Sequence, residues 1–280
     1  MKPALSLILP ANNEAAHITA CLQNVLLCDS PKNDGAVQII VVANGCTDNT
    51  AEIARAMTAK FQARGWALEV IELEIGSKIA ALNAGDAAAT ADIVAYLDAD
   101  VLVSAELLAQ TVDALSVETP AYASGRVKLS LAKSAMTRAY AMFYLQTPFM
   151  KQDAPGCGYF AMNRLGRNRW GEWPAIISDD TFARLQFTPN ERRQLSAPYE
   201  WPLVEGLKNL IKVRRRQNAG VDELNSRFPE LLENDAKERF ALSAALKAAI
   251  THPLGALIYG VVSFTVKFTP GQSNDWKRGR

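Results

Sequence analysis

The sequence predicts an α/β fold, a mostly parallel sheet flanked by helices, with a helical extension towards the C-terminus. Three observations predict it. Short apolar runs alternate with stretches of helical periodicity, each run stops at a polar or turn-forming residue, and after about residue 110 the alternation gives way to longer helical and aromatic segments. Strands joined by helices at this spacing lie parallel, because a parallel pair needs a crossover long enough to hold a helix.

Residues 5–9 form an apolar run closed by Pro10, after which Asn12 or Asn13 is placed to cap a helix whose Ile18, Leu22, Val25 and Leu26 share one face. Residues 37–42 repeat the pattern. They lead through Asn44-Gly45 to a helix opening near Asp48 or Asn49, with Glu52 spaced for a capping box. A third strand is expected at 68–73, a helix of small residues at 78–89, and a fourth strand at 93–97 that ends in Asp98. Ligands of such sheets collect at the carboxyl ends of the strands, where Asn12, Asn44 and Asp98 all fall. Further on, residues 135–149 read as helical and aromatic, and 155–158 as a glycine-containing turn. Three units are expected, at residues 1–110, 111–220 and 221–280.

With 280 residues, 49% of them hydrophobic and 21% charged, the chain can bury one large core or two smaller ones. Its formal net charge of +1 gives no ground for nucleic acid as a partner. Four cysteines show no Cys-x-x-Cys pairing, and a chain of this size needs no disulfide framework, so reduced thiols in a cytoplasmic setting are expected. Only Lys2 precedes the first strand pattern, and no small-residue cleavage site follows it, so no secretory signal is expected. Near the C-terminus, residues 240–250 and 254–266 are apolar stretches separated by His252-Pro253. A membrane span needs about 20 apolar residues, and neither stretch reaches that. Lys247 interrupts the first and Lys267 closes the second, which leaves two readings open: peripheral membrane contact through 240–268, or packing on the protein.

Asp98 and Asp100 stand two apart where the fourth strand ends. Paired carboxylates at such a point suit Mg2+ or Mn2+, which take one or two protein carboxylates and complete their shell with substrate phosphates. A solvated turn is the alternative for this pair taken alone.

Four blocks together resemble the family 2 glycosyltransferases over roughly residues 4 to 220. They are Leu7-Ile8-Leu9-Pro10-Ala11-Asn12-Asn13-Glu14, Ile39-Ile40-Val41-Val42-Ala43-Asn44-Gly45-Cys46-Thr47-Asp48, Lys78 with Ala81-Leu82-Asn83-Ala84-Gly85, and Tyr96-Leu97-Asp98-Ala99-Asp100. The resemblance implies a GT-A, Rossmann-like fold, a nucleotide-sugar donor and a divalent metal. On it, residues 1–110 would bind the donor, 111–220 would bind the acceptor and carry catalysis, and the acceptor would be a glycan or lipid-linked. Pro10, Ala11 and Glu14 would line the nucleotide pocket, and Lys78 would lie near the base or the diphosphate. Asp98 and Asp100 would hold the metal. The second block departs from the family pattern: Ala43 replaces an acidic residue that would accept a hydrogen bond from uracil, so a uridine donor is less secure than the family itself. Asn44 then either helps to read the base or is a turn residue before Gly45.

Ile177-Ser178-Asp179-Asp180-Thr181-Phe182 resembles the family's later acidic motif, with Asp180 aligned to the base and Asp179 as the other candidate. Adjacent carboxylates raise one another's proton affinity, which suits a base, and Ser178 to Asp180 also reads as a helix start. Arg214-Arg215-Arg216 falls where processive synthases of the family carry Gln-x-x-Arg-Trp. Val213 and Gln217 replace the glutamine and tryptophan, which disfavours a polymerising synthase and leaves only Arg216 in register; the arginines read as a clamp on the diphosphate or on an anionic lipid headgroup, or as a solvated basic helix face. Trp170 and Trp173 either stack on carbohydrate or pack in the interior. Nucleotidyl transfer is a rival reading, although no glycine-rich phosphate loop follows the first strand, and an inactive sugar-nucleotide-binding module is another.

Overall fold

The computed structural model describes residues 2–32, 35–236 and 240–269. From β1 (Leu5–Ala11) the chain passes through α1 (Ile18–Leu26) to β2 (Val37–Asn44), then through α2 (Thr50–Arg55) and α3 (Thr58–Ala63) to β3 (Ala67–Leu73), and α4 (Lys78–Ala88) returns it to β4 (Ile93–Leu97). β1 pairs in parallel with β2 on one side and β4 on the other, and β3 extends the sheet beyond β2. The connections therefore reverse direction between β1 and β4, the kind of switch point at which open α/β sheets form a ligand crevice.

The sheet then continues through β5 (Leu102–Val103), α5 (Leu107–Leu115), β6 (Tyr122–Leu129), α6 (Ala135–Tyr144), α7 (Pro148–Lys151), β7 (Tyr159–Asn163), α8 (Arg164–Arg167), α9 (Asp179–Leu185) and β8 (Arg192–Trp201). β7 lies antiparallel to β4, and the complete order is β3-β2-β1-β4-β7-β6-β8-β5. The expected boundary at residue 110 falls inside α5, and one sheet takes strands from both sides of it. The boundary at 220 falls inside α10 (Leu207–Arg227), which is followed by α11 (Leu242–Thr251) and α12 (Pro253–Phe268). Residues 270–280 of the third expected unit lie outside the described residues.

Alternation of side chains about β1, β2 and β4 builds two cores. Leu5, Leu7, Leu9, Ile39, Val41 and Ala95 face one layer of helices, while Ile8, Ile40, Val42, Val94 and Tyr96 face the other. Strands buried on both faces read as continuous apolar runs, which is why these were visible in the sequence. The small residues of α4 have a packing reason: a Cβ at Gly85 would collide with the Ile8 side chain, so glycine lets the helix settle on β1. A third cluster, including Tyr140, Tyr144, Leu210, Ile258 and Val262, ties α6, α10 and α12 together.

Three local expectations are corrected. Neither Asn12 nor Asn13 caps α1, which opens at Ile18. Asn13 instead takes the left-handed conformation at φ 55°, and its Oδ1 accepts from the Thr47 N–H at 2.8 Å. No capping box opens α2; Asp48 Oδ1 accepts from the Thr50 N–H at 3.1 Å, a local turn that competes with the box. The helix expected over 135–149 breaks into α6 and α7, with Pro148 at the start of the second, because proline has no N–H to continue the first.

Candidate active site

A cavity of about 220 Å3 opens at the carboxyl ends of β1, β2 and β4, lined among others by Pro10, Asn12, Asn44, Lys78, Asp98 and Asp100. Asp179, Asp180, Arg214 and Arg216 reach it from α9 and α10. The backbone explains why the Asp98-Ala99-Asp100 turn faces it. The Asp98 N–H donates to the Gly158 carbonyl at 2.9 Å and the Val101 N–H to the Asp98 carbonyl at 3.0 Å. That turn packs Ala99 into the core while its two neighbours stay part-exposed on the cavity wall. Gly158 can approach this closely because its φ of 79° suits glycine and a Cβ there would press on Val101 and Trp201.

Lys78 links the two acidic motifs. Its Nζ lies 3.2 Å from Asp98 Oδ1 and 3.0 Å from Asp179 Oδ2. A cation in the first turn of α4 works against the helix dipole, and burial also disfavours its charge. The carboxylates of Asp179 and then Asp98 outweigh that burial and hold the ammonium well above the usual lysine range. Asp179, only 5% exposed, is thereby engaged in an ion pair. Asp180 lines the same cavity without an ion pair of its own among the described residues, and withdrawal from water, then the charge of Asp179, push its pKa up to about 6 against the lowering pull of Lys78. Its Oδ1 accepts from the Thr181 N–H at 2.6 Å.

Asn44 works as a clamp. Its Nδ2 donates to the Ala11 carbonyl at 2.8 Å and the Val42 carbonyl at 3.3 Å, and its Oδ1 accepts from the Ser77 N–H at 3.0 Å. Asn12 Nδ2 in turn donates to the Asn44 carbonyl at 2.6 Å. These bonds tie the ends of β1 and β2 to the start of α4 and so fix where Lys78 begins. Ala11 and Glu14 are fully buried beside this lock, and the cavity lining does not include them. The Glu14 N–H donates to Thr50 Oγ1 at 2.7 Å.

Several contributors had no sequence signal. Asp86 on α4 accepts from Tyr96 OH at 2.6 Å, from Trp173 Nε1 at 2.6 Å and from Arg167 Nη2 at 2.7 Å, a buried network that braces α4 against β4 and the segment after α8. Trp173 is thus an interior residue, and the Arg167 guanidinium lies over its ring and that of Trp170. A second cavity of about 430 Å3 adjoins Asp180, walled by Tyr144, Phe149, Trp201, Phe240 and Tyr259, with Arg214 on the seam between the two cavities. Arg214 is held there by a 3.0 Å bond to the Tyr259 hydroxyl. Among the described residues no three His, Cys, Asp or Glu side chains converge to hold an ion by themselves.

Residues 6–181 match the model of glycosyl transferase family 2. Glycosyltransferase AglE of Haloferax volcanii is 37% identical over 99 residues, a stretch that takes in 35% of this chain and 31% of that relative, so the two share about a third of the relative's length. Among solved structures, the chain resembles a mannosyltransferase from Pyrobaculum calidifontis in complex with GDP-Man and Mn2+. There the TM-score is 0.59 at 20% identity, covering 95% of this chain and 81% of that one. It also resembles glucosyl-3-phosphoglycerate synthase from Mycobacterium tuberculosis in complex with Mn2+, UDP and glucosyl-3-phosphoglycerate, with TM-score 0.54, 22% identity and coverage of 81% and 80%. S. aureus TarS 1–349 in complex with UDP-GlcNAc is similar over 100% of this chain and 95% of that one, at TM-score 0.53 and 15% identity. The fold they share is GT-A. With the family model covering well over half of its length, the chain belongs to glycosyl transferase family 2.

Proposed function

We propose that this protein is an inverting, metal-dependent glycosyltransferase that moves a sugar from a nucleotide-diphosphate donor to a glycan or lipid-linked acceptor in cell-envelope or exopolysaccharide synthesis. One observation carries the reading. Lys78 gathers Asp98 from the sheet and Asp179 from α9 into a single ion-paired cluster, and Asp180, with its pKa near 6, shares their cavity.

The division of labour follows from that arrangement. Asp179 is neutralised by Lys78 and fixes the start of α9, while Asp180 receives the proton of the acceptor hydroxyl. As that oxygen forms its bond to the anomeric carbon, the bond from the carbon to the donor phosphate breaks and the nucleoside diphosphate departs. A single in-line displacement of this kind inverts the anomeric configuration. The donor set fits a hard cation: two part-exposed carboxylates, Asp98 and Asp100, would hold Mn2+ or Mg2+ with donor phosphates completing the shell, and the ion would neutralise charge developing on the diphosphate. Arg214 and Arg216 add cations on the same cavity wall. Pro10 lines the donor side, whereas Asn44, its amide engaged by three backbone groups, positions the pocket. Ala11 and Glu14 support that pocket from behind. The aromatic cavity beside Asp180 suits the acceptor.

The test is a panel of UDP- and GDP-sugars screened for thermal stabilisation with and without Mn2+, followed by product analysis. At least one donor is expected to raise the melting temperature in a metal-dependent way and to release a nucleoside diphosphate. Release of pyrophosphate would instead indicate nucleotidyl transfer, and stabilisation by no donor would remove the reading.

A further inference from the structure

Of the 14 exposed large apolar side chains among the described residues, eight lie on the last two helices. On α11, Leu242, Leu246 and Ile250 recur every four residues and are 86%, 60% and 73% exposed. On α12, Leu257, Val261 and Phe264 recur at three- and four-residue spacing on the outer side, while Gly255, Ile258 and Val262 face inwards. Elsewhere exposed apolar residues such as Leu27, Ile75 and Leu131 stand singly, as is ordinary on protein surfaces. The orientation of α12 is fixed, because Gly255 brings its backbone so close to the Ala139 carbonyl of α6 that a Cβ would collide with it. Its outer face is thus presented by a docked helix.

We propose that this outer face is a docking surface for an anionic phospholipid bilayer, lying in the membrane interface. Charge selects the occupant. The sequence from 240 to 269 contains no Asp or Glu, and its two charged side chains, Lys247 and Lys267, are both exposed. Phe264 and Phe268 have ring centroids 4.5 Å apart, with Lys267 Nζ 5.5 Å from the second ring, so apolar side chains and a cation share one edge. A second copy of the chain is a poorer fit. A two-fold contact through this face would bury like-charged lysines with no carboxylate of the face to pair them. Among the described residues no helix is long and apolar enough to cross a membrane. The same segment supplies Phe240 and Tyr259 to the cavity beside Asp180, so a docked bilayer would lie about one helix diameter, ~10 Å, from that cavity.

Flotation of the full chain with vesicles tests this. Protein is expected to float with phosphatidylcholine vesicles that contain phosphatidylglycerol, less with phosphatidylcholine alone, and less again at high salt. The double variant Leu257→Glu/Phe264→Glu should stay in the soluble fraction while keeping the wild-type melting temperature. Lys247→Glu/Lys267→Glu should lose the preference for anionic vesicles, by about fivefold for each basic charge lost. Wild-type protein that ignores both vesicle types overturns the proposal, as does a glutamate double variant that floats normally. A dimer by light scattering that this variant dissolves, in protein that does not float, would assign the face to a second copy. Donor-induced stabilisation of the same variants reads the sugar-nucleotide cleft separately, so loss of flotation with retained stabilisation confines the effect to the docking face.

Discussion

In β1, β2 and β4 the apolar side chains are covered on both faces of the sheet, whereas α11 and α12 cover one face and leave the other to solvent. Both regions read as apolar runs in the sequence, and what separates them is the supply of partners. The strands have helices on each side, so each apolar side chain finds a covering layer and the cost of fixing the chain is offset by burial on two fronts. α12 packs against α6, α10 and α11, yet its Leu257, Val261 and Phe264 stay exposed. The strands therefore serve as a rigid platform for the cleft, and the helices as an adhesive rim beside it.

The largest effects are expected at the platform's edge. Asp100→Ala should lower sugar transfer about a thousandfold or more while leaving the melting temperature nearly unchanged, measured by released nucleoside diphosphate at saturating Mn2+. Transfer at the wild-type rate would separate the cleft from metal chemistry altogether.

Asp180→Asn should lower kcat by about 10^2- to 10^4-fold with donor-induced stabilisation retained. In the wild-type protein kcat/KM should fall as pH drops through about 6, because the base must be ionised. Stability should move the other way. Between 3.8 and about 6 the folded protein holds a proton that an unfolded aspartate has lost, so stability declines as pH rises through this window and stays lower above it. The asparagine variant should thus melt higher than wild type above pH 6, by about 5 °C, and equally below pH 4. A flat pH profile of the melting-temperature difference would show that Asp180 is not the strained group.

Two glycines sharpen the contrast between platform and rim. Gly85→Val should destabilise the whole molecule by about 1–3 kcal/mol, seen as a lower urea midpoint, since the added atoms collide with Ile8 at the centre of the sheet. Gly255→Val should mainly loosen α12 from α6, with a smaller shift in the main transition and faster proteolysis within residues 240–269. The smallest effect belongs to Leu257→Glu, within about 0.5 kcal/mol of wild type, because its side chain is 64% exposed and loses little packing.

Much of the cleft was legible before any coordinates. β4 and the turn Asp98-Ala99-Asp100 follow from a run of five apolar residues that stops at a carboxylate, and α9 from an acidic pair after Ser178. The partner of Lys78 was not legible: Asp179 lies 101 positions away, and no local pattern says that β4 and α9 will bring their carboxylates to one ammonium. Nor could spacing tell that the Asn44 amide would be used by three backbone groups, or that Trp173 would end in the interior against Asp86. The helix caps were not legible for a related reason, since Asn13 and Asp48 take loop partners that compete with the helix ends.

By itself the sequence determined the first four strands, the helices between them, their parallel arrangement and the two acidic motifs, because periodicity and turn residues act over a few positions along the chain. Only the tertiary structure decided which carboxylate is paired and which has its pKa raised, and which apolar helix face stays uncovered. Burial, desolvation and ion pairing depend on what arrives from distant parts of the chain, and an isolated segment does not encode its neighbours.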